Sequence, residues 1–319
     1  MLKINIQLIL FCIFIFPFSL LFAQERGEVG TFGDQFIWTG TGEAFVPNYI
    51  MMDVLGKELH EIKPADIDYL IEEFMIGHGF NGIHVPVLGR WFHLESNDVT
   101  EADSIPDPET TTVLAMIIKK VYDAGGSTYL WLWGDAQRGW TSKSTKDGIM
   151  GKQEQRLLDH IAETLGPSKG WMLGYGFDLW EWVGEKDYSE EETLRGLWHH
   201  TMAGGIGAIW GNLNGDGIYG NKEALKCYGI FWNENRRFKK GLVVDNAITD
   251  GFCLRESDRS FVFYKENTQK INYQIEGQPK KVIAVDTRKP YHELDQGIKR
   301  KGQHQFEAPY PSDWALAVE

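Results

Sequence analysis

Two carboxylates, Asp178 and Glu181, stand three residues apart in Trp171-Met-Leu-Gly-Tyr-Gly-Phe-Asp-Leu-Trp-Glu-Trp182, with Trp180 and Trp182 beside them. Acids set among indoles suit the cleavage of a sugar. One carboxyl group, kept protonated by an apolar neighbour, donates to the leaving oxygen. A second carboxylate attacks, or activates water, on the other side of the bond. Asp178 and Glu181 lie on one segment and are too near in sequence to serve opposed sides. Their spacing makes one of them the acid and the other a helper, with the partner supplied from elsewhere. Glu43, Asp135 and Asp216 are candidates that the sequence does not rank. The alternative for each is a solvated loop acid.

Further polar groups follow other apolar runs. His84, Arg90 and His93 lie in or after one, and Arg138 lies after the next. Such groups hydrogen-bond sugar hydroxyls or pair with an anion; for His84 the alternative is a core histidine satisfied by a neighbour. The chain holds 12 Trp, and Trp38, Trp91, Trp131, Trp133, Trp140, Trp180, Trp182 and Trp210 fall near the ends of apolar runs, with Asn212 just after the last. Flat apolar rings stack on the C–H faces of sugars, although core packing accounts for about half of such residues taken one by one.

The elements that must position these groups alternate. Phe36–Thr39 reads as a first strand, and 46–63 as a long connection. Pro64 opens a helix carrying Ile67, Leu70, Ile71, Phe74 and Met75 at helical spacing. Phe80–Val87 is a second buried strand. A helix from Asp107-Pro108 turns Val113, Leu114, Ile117, Ile118 and Val121 inward, and Ser127–Trp133 is a third strand. Leu157, Leu158, Ile161 and Leu165 mark a third helix, and the run from Trp171 is a fourth strand. Ser189 with Glu192 is a capping box opening another helix. Residues 204–210 form a strand-like run, and a helix spans about Asn221 to Arg237.

Buried runs joined by helices imply parallel strands with right-handed crossovers. Polar and aromatic residues gather at their carboxyl ends, as on the rim of a (β/α) TIM-like barrel. No glycine-rich phosphate loop follows the first run, which weighs against a nucleotide-binding sheet. Between Trp182 and the run at Gly204 there is room for one loop and one helix, not for two more strand–helix units of about thirty residues each. The barrel is therefore expected to be shortened in the middle. After Gly241 helical spacing gives way to short alternating runs, the signature of a small antiparallel β-sandwich domain.

Residues 1–23 read as a signal peptide, with a short basic start, an apolar stretch from Leu8 to Phe22 and cleavage after Ala23. The expected organisation is thus 1–23 signal, 24–240 barrel and 241–319 β domain, in a secreted or periplasmic protein with no membrane segment after cleavage. A net charge of -13 argues against nucleic acid as partner. No Cys/His spacing suits zinc, and no cofactor is called for. Cys227 and Cys253 survive signal removal, and a disulfide or two buried thiols fit equally well.

Several stretches resemble the apiosidase-like glycoside hydrolases, secreted bacterial barrel enzymes followed by a small β domain that carries a collagen-binding label. These are Phe36-Ile-Trp-Thr-Gly40, Gly79-Phe-Asn-Gly-Ile83, Gly170–Asp178, Trp198–Gly211, Ala284–Tyr291 and Pro311–Leu316. The resemblance implies a catalytic acid just after the fourth strand, at Asp178 or Glu181, and a second carboxylate on a late strand, in or near the segment that is short here. The expected activity is hydrolysis of a plant or algal glycan; a non-catalytic carbohydrate-binding descendant of such an enzyme is the alternative.

Overall fold

The computed structural model describes residues 25–33, 35–87, 91, 106–132, 152–174, 189–204, 208–210 and 221–319, with the backbone alone at 152–154 and 208–210. The described chain enters through a three-stranded antiparallel sheet: β1 (Val29–Phe32), β2 (Gln35–Trp38) and β3 (Ala44–Phe45). A parallel sheet follows, made of β4 (Asn48–Met51), β5 (Gly82–Pro86), β6 (Ser127–Trp131), β7 (Trp171–Gly174) and β8 (Ala208–Trp210). Its spatial order is β7-β6-β5-β4-β8. The helices are α1 (Pro64–Leu70), α2 (Pro108–Asp123), α3 (Lys152–Thr164), α4 (Glu190–Met202) and α5 (Lys222–Gly229).

The first parallel strand is therefore Asn48–Met51, not Phe36–Thr39, which belongs to the antiparallel entry sheet. Asn81 supplies the reason. Its carboxamide accepts the Asn48 N–H at 2.8 Å and donates to the Val46 carbonyl at 2.7 Å, which pins β4 beside the start of β5. Tyr49 and Ile50, from a segment whose length reads as a loop, are fully buried. Gly82 is required here because any side chain would run into the Tyr49 ring and the Ser127 carbonyl.

The helices start as their sequences direct. Asp107 caps α2 by accepting the Glu109 N–H, and the Ser189–Glu192 box opens α4 with reciprocal bonds of 3.2 and 2.9 Å. Leu114, Ile117, Ile118 and Val121 of α2 are fully buried in the core they share with Ile50, Ile83, Val85 and Leu130 of the strands.

The parallel sheet is a partial barrel. β4 is paired on both sides, with β5 and with β8, so the last parallel strand lies beside the first, as in a closed (β/α) barrel. β7 and β8 are the two edges, and residues 175–207, which include α4, join them.

The C-terminal part is a six-stranded antiparallel sheet ordered β13-β12-β14-β11-β10-β9. These strands are β9 (Val243–Val244), β10 (Phe252–Glu256), β11 (Ser260–Ile275), β12 (Lys280–Asp286), β13 (Leu294–Lys299) and β14 (Gly302–Val318). One sheet makes both layers of a sandwich because its long strands bend. Phe263 and Tyr273 lie on the same strand, about 33 Å apart if it were straight, yet their ring centroids are 5.1 Å apart. Phe306 and Trp314 of β14 repeat the bend at 5.4 Å. Register shifts between Lys265 and Lys270 mark the bend in β11.

One face of this sheet joins the barrel core. Leu254, Val262, Tyr264, Ile283, Val285, Ala315 and Ala317 belong to the same apolar cluster as the helices. Trp198 of α4 stacks on Tyr264 at 5.1 Å. Arg195 grips the Asp313 carboxylate with two bonds of 2.9 Å. The guanidinium of Arg237 reaches Tyr291 and Glu293 at 2.7 and 2.8 Å. Cys227 lies in this shared core and Cys253 in the core of the bent sheet; both are free thiols, with burial pushing each up to about 12.

Candidate functional site

Alternation along the parallel strands sorts their side chains. Ile50, Ile83, Val85 and Leu130 pack toward the helices. Residues of opposite parity therefore face the concave side. Register aligns them in rows: Tyr49, Gly82 and Ser127 form the first, then Met51, His84, Tyr129 and Met172, then Pro86, Trp131 and Gly174. The Tyr49 hydroxyl meets that of Ser127 at 2.6 Å and closes the lowest row. Gly174 is open because a side chain there would strike the Tyr129 hydroxyl. No inward position of these strands carries a carboxylate.

His84 is the unusual member. It is 0% exposed, and neither ring nitrogen has a hydrogen-bond partner among the described residues. Its neighbours are rings, Trp131 edge-on at 4.4 Å between centroids and Tyr129 at 5.3 Å. Burial in this setting pushes its pKa down to about 3, so the imidazole is neutral near pH 7, with one donor and one acceptor unfilled. A buried polar group left unmade costs about 1–3 kcal/mol. Burial also raises the pKa of Tyr129, opposed by its hydrogen bond with Trp131. Both residues are half-buried, so the concave face opens toward the carboxyl ends of β6 and β7. It offers two aromatic rings and an amphoteric imidazole, a set that can hold a hydroxylated ring by stacking and hydrogen bonds.

The other candidates divide three ways. Trp38 and Glu43 lie at the opposite, amino-terminal end of the parallel strands. Trp38 is 7% exposed, stacked on Phe45 at 5.0 Å and covered by Arg26. Glu43 pairs with Arg236 at 2.5 Å. Asn81 and Gly125, which immediately precede β5 and β6, line the same concavity of about 440 Å3. Their placement as cleft residues is thus corrected, because the strand they flank is an entry hairpin below the barrel. Trp91 is 1% exposed and donates from its indole to the Trp131 carbonyl at 3.4 Å. It is a core residue with no ring face left for a sugar. Trp210 ends β8 in register with Ile50. Arg90, His93, Trp133, Asp135, Arg138, Asp178, Trp180, Glu181, Asn212 and Asp216 lie outside the described residues.

Tyr129 and Met172 join His84 and Trp131 without having been singled out as site residues. The signal for Tyr129 was its every-second-residue placement with Trp131 on one strand. Reading it required the register with His84, which a single strand does not carry.

The fold is similar to that of a protein described as a glycoside hydrolase, with a TM-score of 0.60 and 11% identity over 92% of this chain and 97% of that one. It is also similar to a glycoside hydrolase family 5 protein from Bacteroides vulgatus ATCC 8482, with a TM-score of 0.59 and 10% identity over 92% and 94% of the two chains. At these identities the likeness is one of fold. No family model matches the chain, and no curated protein matches it.

Proposed function

We propose that this chain is an exported glycoside hydrolase acting on a plant or algal polysaccharide or on oligosaccharides derived from it. The single observation that carries the reading is the concave cluster of His84, Tyr129 and Trp131, a buried imidazole between rings and unfilled among the described residues, on a (β/α) sheet shared with proteins described as glycoside hydrolases. β7 ends at Gly174, four residues before Asp178. Asp178 or Glu181 is the general acid in this reading, and the apiosidase-like resemblance is its finer form.

Strand order ranks the partner carboxylate. Glu43 is set aside because it lies at the amino-terminal end of the sheet. Asp135 follows β6, the immediate neighbour of β7, whereas Asp216 follows β8, at the far edge. A sheet that curls toward a barrel turns its edges toward one another, so Asp216 is the better choice for the opposite side of a glycosidic bond. The face of the C-terminal sheet that packs on the barrel is architectural in this reading: Asp313 and Tyr291, from its resemblance motifs, hold it to Arg195 and Arg237.

The test is a polysaccharide screen with released reducing sugar as readout, on wild type, Asp178→Asn, Glu181→Gln, Asp135→Asn and Asp216→Asn. The variant lacking the acid is expected to lose about 10²–10⁴-fold in rate, with Asp216→Asn falling further than Asp135→Asn. Equal rates in wild type, Asp178→Asn and Glu181→Gln would overturn the assignment. One observation favours a second reading, a carbohydrate-binding protein without turnover: residues 175–207 leave little room for further strands between β7 and β8. Glycan affinity with no released sugar would select it.

A further inference from the structure

The bent C-terminal sheet carries a concavity of about 550 Å3, lined by no residue of the parallel strands, between the segment 247–250, β11 and β14. Antiparallel register places Asn272 opposite Gln305 and Gln274 opposite Gln303, so four carboxamides share one outward face. The next pair on that face is Lys270 with Glu307, an ion pair at 3.2 Å. The amide patch is thus an uncharged interruption on a strongly acidic molecule.

Half of the patch is held rigid. Asp250 accepts the Asn272 backbone N–H at 3.0 Å and its carboxamide N–H at 2.7 Å. Lys265 donates to the same carboxylate at 2.8 Å and balances its charge. Gln305 donates to the Asn272 oxygen at 2.9 Å. Gln274 and Gln303 make no such side-chain bonds among the described residues and stay available. Ile248, half-buried at the wall, adds an apolar surface. A carboxamide presents donors and an acceptor in one plane, which suits the paired hydroxyls of a sugar, and fixing two of four in advance lowers the ordering cost of binding. Among the described residues no lysine or arginine lines the concavity to meet an anion, and an apolar ligand would strand four amides.

We propose that this face is a second carbohydrate site, for a neutral glycan chain, built on Asn272, Gln274, Gln303 and Gln305. It rests on the reading of the protein as glycan-directed, and it would hold polymer near the barrel without joining in cleavage. The experiment is native affinity electrophoresis of the full chain in gels containing galactomannan, xyloglucan, arabinan or polygalacturonate. It is run in the Asp178→Asn/Glu181→Gln background so that the polymer survives. At least one neutral polymer is expected to retard the protein, with polygalacturonate inert. Gln274→Ala/Gln303→Ala is expected to weaken that retardation at least about tenfold, whereas Lys270→Ala, on the same face, leaves it unchanged. Both glutamines are solvent-facing, and an unaltered circular dichroism spectrum verifies the fold. In the otherwise wild-type chain the same double substitution is expected to raise KM for polymer while leaving kcat/KM for a short oligosaccharide unchanged. Equal retardation of wild-type and variant faces, retardation by polygalacturonate alone, or no retardation by any neutral polymer overturns the proposal. Hydrolysis without retardation would remove this site and keep the enzyme, and retardation lost in the glutamine variant without any hydrolysis would do the reverse.

Discussion

Two regions each bury a polar side chain, and these two side chains are treated in opposite ways. At the junction between α4 and the C-terminal sheet, Asp313 is 2% exposed and fully engaged. It takes two bonds from Arg195 and one from the Asn267 N–H at 2.8 Å. On the concave face of the parallel sheet, His84 is as deeply buried and has no partner at either nitrogen among the described residues. Satisfied burial holds parts together; unsatisfied burial in a half-open aromatic setting is a place kept for something else. The difference separates what builds this molecule from what it uses.

The junction gives the largest expected effect. Arg195→Ala leaves the Asp313 carboxylate buried with its charge uncompensated, a loss of about 3–5 kcal/mol for a buried pair. Urea unfolding would read this as a lower midpoint with an unchanged slope. Because Trp198, Tyr264 and the sheet residues share one core with the helices, unfolding is expected to be a single transition. Two separated transitions would show that the C-terminal sheet stands alone, and the comparison would fail on that side.

His84 sets the next. Its pKa falls from 6.5 in a free chain to about 3 when buried. Between those values the unfolded chain binds a proton that the folded chain refuses, so stability is fully present above pH 6.5 and is lost as pH falls toward 3. From pH 6.5 to pH 5 the loss attributable to this one residue is on the order of 2 kcal/mol. Comparing melting temperatures at the two pH values for wild type and His84→Leu isolates it, since the leucine variant lacks the group.

The same substitution has an effect at pH 7 that sharpens the contrast. Leu fills a similar volume without unfilled polar atoms, so His84→Leu is expected to be neutral or to gain about 1–2 kcal/mol. Glycan affinity should fall at the same time, measured by calorimetry with a bound oligosaccharide. Higher stability with unchanged affinity would mark His84 as a buried oddity outside the site.

What the chain reveals before folding follows the same division. The alternation of helices and buried runs is local, so the (β/α) class, the capped helix at Ser189 and the shortened middle were all legible. The change to β texture after Gly241 was legible for that reason too. Asn48–Met51 was not, because four residues in a polar-rich connection become a central strand only through Asn81, a residue beyond the next helix. Trp38 looked like a cleft residue because nearness to a strand end in sequence does not say which end of the sheet it is, and Trp91 because it does not say whether the ring is buried. His84 was legible as a candidate, but its rows with Tyr129 and Met172 exist only through inter-strand register.

Glu43 provides the smallest effect and the clearest check on which end of the barrel works. Sequence reading places it among the candidate second carboxylates, whereas the structure pairs it with Arg236 in a solvent-exposed contact at the amino-terminal end. An exposed pair of this kind is worth about 0–1 kcal/mol. Glu43→Gln is therefore expected to shift the urea midpoint barely and to leave hydrolysis at the wild-type rate, alongside Asp178→Asn, Glu181→Gln and Asp216→Asn in the same assay. A loss comparable to that of the true acid would put chemistry at the amino-terminal end, where the entry hairpin now closes the sheet, and would invert the assignment of the two ends.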